Sequence, residues 1–314
     1  MRKVAVVTTG FFDGVHLGHR HVLSAVVSSA RERGEEAVVV TFWPHPRTVL
    51  QQDAREFRIL TSLEEKKALL AAAGIDRVEV LPFTREFAAL TAEEYLQLLR
   101  DKFNATLVVM GYDNRIGCDR KTITELTGAF ESRKPSSLRS SSLPISLRSV
   151  GPLPFTWPRA AMVSGDSNAP VISSTRIRKA LQEGRVEEAC GMLGYGYELY
   201  GVVVAGNRMG RTIGFPTANM QLYEPLKLVP GNGVYVVEVE VLGQWYRGMC
   251  NIGTRPTVGG VSRTIETHIL DFDQDIYGLP LRLRFVRRIR DERKVPSLEA
   301  LREQLALDAL NCKK

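Results

Sequence analysis

The chain has 314 residues, of which 44% are hydrophobic and 25% are charged, a composition typical of a soluble globular protein long enough for two domains. Its formal net charge of +7 favours an anionic ligand such as nucleotide phosphate, nucleic acid or an acidic membrane surface. Four cysteines without a CxxC pair give no sign of a zinc knuckle or a disulfide framework, and no apolar run suits a signal peptide or a membrane span, so we expect a cytoplasmic protein with no membrane partner.

The first part of the chain alternates short apolar runs with helical periodicity, which predicts βαβ units around a parallel sheet. Strands are predicted at Val4–Val7, Ala37–Trp43, Val78–Leu81 and Thr106–Met110. Helices are predicted at Leu17–Arg33, at Ser62–Ala73, and at Ala92–Phe103 behind the cap residue Thr91. The pattern indicates a Rossmann-like architecture, although the chain has neither the GxGxxG fingerprint nor the Gly-Lys pair of a P-loop.

Residues 132–149 interrupt this pattern with eight serines in eighteen positions. No acidic residue occurs from Ser132 to Gly165, and neither a helix nor a strand is evident there. Two interpretations remain open for this tract. It is either a basic, poorly ordered loop or a stretch whose coding frame was locally altered.

Helical periodicity returns at Ile172, where Ser173 and its neighbours cap a predicted helix that Gly184 ends, and a second short helix is predicted at Val186–Leu193. From Glu198 onward the pattern is all-β, and its spacing predicts a small closed barrel. The predicted strands are Glu198–Ala205, Val234–Val241, Trp245–Cys250, Ile265–Phe272 and Leu281–Val286. A C-terminal helix at Ser297–Leu310, with Leu298, Leu301 and Leu305 on one stripe, is expected to pack on the barrel.

The segment GFFDGVHLGH, residues 10–19, falls at a predicted strand-to-helix turn, where open α/β sheets bind ligands. His16 and His19 are three residues apart, with Gly18 between them, so both can face one bound group where the helix begins. The N–H groups of the first helical turn add positive potential. We therefore expect a nucleotide phosphate site here, and zinc is disfavoured because no cysteine lies near in the sequence.

The longer segment GFFDGVHLGHR resembles the FMN adenylyltransferase half of the bacterial bifunctional riboflavin kinase/FAD synthetase family. Four further segments match this family in the same order: Thr41–Pro46, Gly111–Gly117, Ile172–Arg178 and Gly210–Asn219. The resemblance implies an α/β plus all-β protein with a nucleotidylyltransferase domain at 1–186 and a β-barrel riboflavin kinase domain at 187–314. It also implies riboflavin, FMN and ATP as substrates and FAD as the final product.

Adenylyl transfer to FMN uses a nucleophile that is already anionic, because the second pKa of a phosphomonoester is about 6. The protein's task is therefore positioning and charge stabilisation. The resemblance assigns His16, His19 and Arg178 to the triphosphate and its transition state. It places further ATP or flavin contacts at Gly10, Phe11, Asp13, Gly14, Gly18, Asp113, Ser174 and Thr175. Asn114 and Ile116 stand where the family has aromatic residues, and Pro44-His45-Pro46 is expected to form a rigid wall.

Phosphorylation of riboflavin requires a base, because its 5′-hydroxyl must lose a proton as it attacks the γ-phosphate. The resemblance makes Glu266 the candidate, and its predicted strand places Ile265 and Ile269 on one face and Glu266 and His268 on the other. Thr217 and Asn219 share one side of an extended segment and offer the oxygen ligands that Mg²⁺ prefers. ATP contacts are expected at Gly206, Gly210, Arg211 and Gly214, while the segment 251–257 is equally open to a structural or a functional interpretation.

Two functions remain open at this point. One is an enzyme that converts riboflavin to FMN and then to FAD, using Mg-ATP twice. The other is a flavin- or nucleic-acid-binding protein of the same fold that has lost one or both activities, which the basic charge and the serine-rich tract favour. Glu266 has no use in a binding protein and favours the enzyme, for which no specific nucleic acid partner is expected. The sequence does not determine the oligomeric state.

Overall fold

In a computed structural model of the chain, the residues described are 3–50, 57–122, 124–127, 145–151, 172–206, 209–257, 260–293 and 295–313, without the side chains of 209, 211, 255–257 and 260–262. The chain divides into two compact units. The first contains Met1–Phe57 and Thr61–Trp157, and the second contains Arg58–Leu60 and Pro158–Lys314. A five-stranded sheet organises the first unit and a closed barrel the second, which confirms the predicted combination of an α/β and an all-β part.

The sheet of the first unit consists of parallel strands with helices on both faces. Its strands are β1 (Ala5–Thr9), β2 (Glu36–Trp43), β3 (Arg77–Pro82), β4 (Ala105–Gly111) and β7 (Ser146–Val150), and a small hairpin adds β5 (Arg115–Ile116) and β6 (Lys121–Thr122). Its helices are α1 (Leu17–Arg33), α2 (Pro46–Leu50), α3 (Leu63–Ala72), α4 (Arg85–Ala88) and α5 (Ala92–Phe103). Val6 and Val7 of β1 point to opposite faces, into a cluster with α1 and α3 and a cluster with α5 respectively.

The strand order β3-β2-β1-β4-β7 creates a switch point between β1 and β4. The chain moves outward from β1 through β2 to β3 and then returns to the other side of β1. At such a point the connections leave in opposite directions, which opens a crevice at the carboxyl ends of the two central strands. The turn after β1 and the loop after β4 therefore share one edge of the sheet.

Strand β7 corrects the expectation that the serine-rich tract contains no strand. Residues Ser146–Val150 pair in parallel with β4 over the register from Leu107 to Gly111. The strand was missed because it lies at the edge of the sheet, where only Val150 is buried and Leu147 is half-buried. Its other residues are polar and exposed, so it has no clear period-two signal. The rest of the tract, at 132–144 and 152–165, lies outside the described residues.

Capping explains why the main helix predictions of the first unit are confirmed. Ser62 accepts a hydrogen bond from the Glu65 backbone N–H at the start of α3, and the Glu65 carboxylate accepts one from the Ser62 N–H. Thr91 and Glu94 form the same capping box at α5. Reciprocal caps satisfy the otherwise orphan N–H groups of a first helical turn. The short helices α2 and α4 were not predicted, because elements of four or five residues show no hydrophobic period.

Six antiparallel strands close the barrel of the second unit in the order β10-β11-β12-β9-β8-β13. They are β8 (Glu198–Val204), β9 (Ala218–Leu222), β10 (Gly233–Val241), β11 (Gln244–Thr257), β12 (Gly260–Ile269) and β13 (Pro280–Arg290). The helices of this unit are α6 (Ser174–Gln182), α7 (Val186–Leu193), α8 (Met209–Thr212) and α9 (Leu298–Lys313). No helix in the described part of the chain is both long and apolar enough to cross a membrane.

Helix α9 packs on the barrel, as predicted, through a face that matches the predicted leucine stripe in part. Leu305 and Cys312 contact the cluster around Val236 and Met249, whereas Leu298 is 53% exposed. The predicted leucine stripe is therefore wrong at its first position. A buried carboxylate takes a central place on this face, where Asp308 forms a forked ion pair with Arg290 of β13 at 2.7 to 3.1 Å.

We expect Asp308→Ala to lower the free energy of unfolding by about 3–5 kcal/mol, because it leaves the guanidinium of Arg290 buried without its partner. Asp308 is 1% and Arg290 is 15% exposed, so water does not replace the lost carboxylate. Urea unfolding measures the change. Asp271→Asn, which removes an exposed pair with Lys313 at 3.9 Å, is the matched control and should change stability little. Equal changes in the free energy of unfolding for the two variants would contradict a stabilising role of the buried Asp308–Arg290 pair.

Candidate active sites

The segment Gly10–His16 joins β1 to α1 in a turn with an unusual backbone. Phe12, Gly14 and Val15 all have positive φ angles, of 48°, 82° and 33°. A positive φ is a true outlier for a β-branched residue such as valine. The Val15 N–H donates to the Phe12 carbonyl oxygen at 3.0 Å and closes the turn. Such a conformation persists only when surrounding contacts enforce it.

Thr61 supplies those contacts from the segment that leads into α3. Its backbone N–H and its hydroxyl both donate to Asp13 Oδ1, at 3.1 and 3.3 Å. The same hydroxyl accepts a hydrogen bond from the Gly14 N–H at 3.1 Å. Asp13 is buried, and these contacts give it a part in supporting the turn. Its predicted contact with a ligand stays a prediction.

His16 and His19 meet at the first turn of α1, as the sequence predicts. His16 is the N-cap residue, a position usually taken by serine, threonine, aspartate or asparagine, and its Nδ1 accepts the His19 backbone N–H at 3.3 Å. The two rings stack with centroids 3.6 Å apart. Because Nδ1 of His16 accepts, the neutral ring carries its proton on Nε2. Nδ1 of His19 is buried and has no hydrogen-bond partner within the described part of the chain.

The electrostatics of the turn keep His19 neutral in the free protein. Burial lowers the pKa of His19 well below its usual range, and repulsion from His16 and Lys66 lowers it further. Lys66 of α3 is itself buried, and burial lowers its pKa to about 8 against the opposing attraction of Asp13. Its ammonium donates to the Phe11 carbonyl oxygen at 3.2 Å. The turn thus combines a neutral His19 imidazole with a buried cation, an arrangement suited to an anionic ligand.

Sequence reasoning missed Lys66 because nothing in its local pattern sets it apart. It stands between Glu65 and Lys67 in a helix whose charges read as a solvated face. The burial of this one charge depends on how α3 meets the turn after β1. No local signal in a single sequence reports that contact.

The loop after β4 lies at the same edge of the sheet as the turn after β1, because β1 and β4 are adjacent parallel strands. Asp113 in this loop is exposed, and its carboxylate lies close to Gly111, where a Cβ would sit 3.4 Å from Oδ1. On the other side of β1, the half-buried Phe11 ring contacts Phe42 and His45 at centroid distances of 5.0 and 5.1 Å. The edge thus offers a carboxylate on one side and an aromatic surface on the other.

Ser174, Thr175 and Arg178 lie on α6, which belongs to the second unit. Ser173 caps this helix by accepting the Arg176 N–H at 3.3 Å. The Arg178 guanidinium donates from Nε to the Arg58 carbonyl oxygen at 2.9 Å, within the same unit. The predicted action of Arg178 on the phosphates held by the two histidines stays a prediction.

A second polar constellation lies on the barrel around Glu266. In the strand ladders Glu266 of β12 is directly opposite Asn219 of β9 and Asn251 of β11. Residues directly opposite one another have Cβ atoms about 4.5–5.5 Å apart and point to the same face. Ile265 and Ile269 are buried, whereas Glu266 is half-buried, so the predicted alternation is confirmed. A carboxylate between two amides results, and Asn251 brings segment 251–257 next to Glu266 at that position.

The loop before β9 lies close against this constellation. A Cβ on Gly206 would sit 2.2 Å from Nδ2 and 2.9 Å from Oδ1 of Asn219, so a larger residue there would displace the Asn219 side chain. The Phe215 N–H donates to the Gly210 carbonyl oxygen at 2.8 Å, and Gly214 has a φ of 82°. His268 binds the Pro216 carbonyl oxygen through Nδ1 at 2.8 Å and anchors the end of the loop. The side chain of Arg211 lies outside the described residues.

The two predicted metal ligands, Thr217 and Asn219, offer a hydroxyl oxygen and an amide oxygen. Thr217 directly precedes β9, two residues before Asn219 in the same extended segment. Within the described ranges no three His, Cys, Asp or Glu side chains converge as a metal site. A hydroxyl and an amide oxygen suit a hard cation that keeps water and phosphate oxygens in its shell.

Comparison with known proteins connects both sites to one family. The family model for FAD synthetase matches residues 1–141, and the model for riboflavin kinase matches residues 193–314. Two relatives are described as bifunctional riboflavin kinase/FMN adenylyltransferase. The one from Bacillus subtilis is 34% identical over 97% of this chain and 90% of the relative, and the one from Escherichia coli K12 is 36% identical over 98% and 91%.

A solved structure described as a macrolide-efflux protein from Streptococcus pneumoniae has a closely similar fold. It is 33% identical, with a TM-score of 0.85, and the match covers 99% of this chain and 94% of that one. The similarity extends through both units of the chain.

The neutral state of His19 predicts that acid destabilises the protein. The folded-state pKa lies below the unfolded value of 6.5, so the unfolded chain binds the extra proton first. Stability is then full above pH 6.5 and falls as pH drops toward the folded-state pKa, by at most about 1.4 kcal/mol per pH unit for one proton. Urea unfolding at pH 7.5 and 5.5 should show a smaller loss for His19→Gln than for the wild type. His21→Gln is the control. If His19→Gln loses as much unfolding free energy between pH 7.5 and 5.5 as the wild type, His19 is not the cause of the acid destabilisation.

Proposed function

The chain belongs to the family of bifunctional riboflavin kinase/FMN adenylyltransferases, and on that premise we propose which of its residues carry each reaction. It combines an FAD synthetase region with a riboflavin kinase region, so it is an enzyme that uses riboflavin, FMN and ATP. We assign adenylyl transfer to residues 1–186 and riboflavin phosphorylation to residues 187–314. The observation that carries the proposal is the presence of two separate polar sites, each with the groups that one of the reactions needs.

In adenylyl transfer, a phosphate oxygen of FMN attacks the α-phosphorus of ATP and pyrophosphate leaves. The attacking oxygen is already anionic, so no side chain has to remove a proton. We propose that His16 donates from Nε2 to the triphosphate and that His19 donates from the same helix end. Both hydrogen bonds become stronger in the transition state, because negative charge develops on the leaving pyrophosphate.

Further contacts complete this site in our proposal. The backbone of Gly10, Gly14 and Gly18 allows phosphates close approach, while Phe11 and Asp113 contact the adenosine or the flavin from the two sides of β1. We propose separately that Arg178 of α6, in the second unit, binds phosphate oxygens together with Ser174 and Thr175 of the same helix. The neutral state of His19 supports this assignment, because a polyphosphate then meets an imidazole N–H donor that needs no rearrangement of charge before binding.

In the kinase reaction, Glu266 accepts the proton of the riboflavin 5′-hydroxyl as that oxygen attacks the γ-phosphorus of ATP and ADP leaves. The amides of Asn219 and Asn251 beside the carboxylate support this role, since they can orient it without neutralising it. We propose that Thr217 and Asn219 hold Mg²⁺. The ion, when bound, neutralises the charge of the transferring phosphate.

The glycine loop of this unit serves the nucleotide in our proposal. Gly206 and Gly210 let phosphates approach the backbone, Gly214 supplies the left-handed turn that brings Thr217 to β9, and Arg211 attracts the triphosphate. We further propose that the protein works in the cytoplasm on small-molecule substrates, without a specific nucleic acid partner. A purely flavin-binding role would not need a carboxylate at position 266.

We expect Glu266→Gln to lower FMN formation from riboflavin by a factor of about 10² to 10⁴, the usual contribution of a general base. FAD formation from supplied FMN should stay near the wild-type rate, because its nucleophile needs no base. Chromatographic separation of riboflavin, FMN and FAD measures both rates in one assay. Glu240→Gln, on the barrel surface, is the matched control. A parallel loss of both activities would refute the assignment of the reactions to two sites.

His16→Ala and His19→Ala should each lower FAD synthesis from FMN by a factor of about 10² to 10³, the scale for losing one transition-state donor. Riboflavin phosphorylation by the same preparations should be unaffected and serves as the internal control for folding. His21→Ala supplies a matched histidine control in α1. Wild-type FAD synthesis in the double variant would exclude the turn as the phosphate site.

A further inference from the structure

Lys66 is a buried lysine for which the two reactions as proposed have no use. Its side chain is 5% exposed and faces the turn after β1 rather than solvent. The ammonium donates to the Phe11 carbonyl oxygen at 3.2 Å and lies 5.9 Å from the centre of the Trp43 ring. Lysine is almost never fully buried without a specific partner. Here that partner is the backbone of the turn itself.

The neighbouring charges of α3 are engaged elsewhere. Glu64 and Lys67 form an exposed pair at 3.0 Å, and Glu65 completes the helix cap with Ser62. Neither arrangement involves the turn. Lys66 is therefore the member of this charged run whose side chain contacts the turn.

In the described part of the chain, titratable groups of the turn and of α1 interact electrostatically with Lys66. Asp13 in the turn attracts the ammonium, but its carboxylate already accepts two hydrogen bonds from Thr61. At the start of α1, repulsion by Lys66 disfavours a proton on His19, on which the His16 ring stacks with centroids 3.6 Å apart. A buried cation close to His19 adds attraction for an anion bound at this turn, and this attraction is strong where water is excluded.

We propose that Lys66 is a positioning residue of adenylyl transfer, which holds the Phe11 carbonyl and places a fixed positive charge behind the His16–His19 pair. This inference rests on the proposed function of that turn. The charge raises the affinity of the turn for the nucleotide phosphates. The hydrogen bond to Phe11 keeps the strained backbone in the shape that presents both imidazoles.

The proposal predicts an upper pH limit for FAD synthesis. The pKa of Lys66 is about 8 in the free protein, so the charge is present below that pH and is lost as pH rises above it. The value of kcat/KM reports the free enzyme, and it should fall by up to tenfold per pH unit above about pH 8. An arginine at this position keeps its charge throughout the range.

The test compares Lys66→Met and Lys66→Arg with the wild type, and Lys67→Met is the matched control on the exposed side of α3. We measure kcat/KM for ATP in FAD synthesis from supplied FMN between pH 7 and 9.5. The melting temperature and the rate of riboflavin phosphorylation are measured for the same variants. We expect Lys66→Met to be at least tenfold below the wild type at pH 7 and flat above pH 8. Lys66→Arg should keep its pH 7 value at pH 9, and Lys67→Met should follow the wild type.

Several outcomes would overturn the proposal. If kcat/KM of the wild type does not fall above pH 8, the proposal is wrong, even if both Lys66 variants fail to fold. A Lys66→Met enzyme that melts at a lower temperature but keeps the wild-type kcat/KM and pH profile shows a merely structural lysine. If kcat/KM of Lys66→Arg still falls above pH 8, the titration of Lys66 is not the cause of the fall. Wild-type FAD synthesis in His19→Ala would instead refute the proposed function, whatever the Lys66 variants show.

Discussion

The hydrogen bonds between Asp13 and Thr61 are the constraint on which the first site depends. They join two segments 48 residues apart in the chain and hold a turn in which three residues have positive φ angles. Together with the hydrogen bonds from Lys66 to Phe11 and from Val15 to Phe12, they hold the backbone at Val15 in a conformation that a β-branched side chain disfavours. The position of His16 at the N-cap, the stacking of His19 on it and the contact of Lys66 with Phe11 all follow from this turn.

In the proposed assignment the two sites bind phosphates in different ways, and the difference follows from their nucleophiles. Where the attacking group is already anionic, the protein offers a helix end, two imidazoles and a buried cation, which in this proposal stabilise charge without moving a proton. Where the attacking group is an alcohol, a carboxylate stands on the barrel wall between Asn219 and Asn251. The parallel sheet supplies the first arrangement at its switch point, and the antiparallel ladder supplies the second by pairing residues across strands.

Several parts of the fold and the sites were predictable because their signals are local. Ser62 and Thr91 marked helix starts through their own capping bonds, and the alternation around Glu266 identified the face on which the carboxylate lies. The strand Ser146–Val150 was not predicted, because an edge strand has polar residues at most positions. Helix α9 turned a buried Asp308, rather than Leu298, toward the barrel because Arg290 compensates its charge there. That partner lies on another strand and leaves no mark on the helical pattern.

By itself the sequence determined the two architectures, the strand-to-helix turn that carries His16 and His19, and the strand that carries Glu266. These features depend on hydrophobic period, caps and residues close in the chain, whose geometry neighbouring residues set. Only the tertiary structure decided that Lys66 is buried beneath the turn, that Asp13 binds Thr61, and that Asn251 joins Glu266. Each of these is a contact between segments far apart in sequence, so its burial and charge arise when the elements pack and are encoded in no single stretch of the chain.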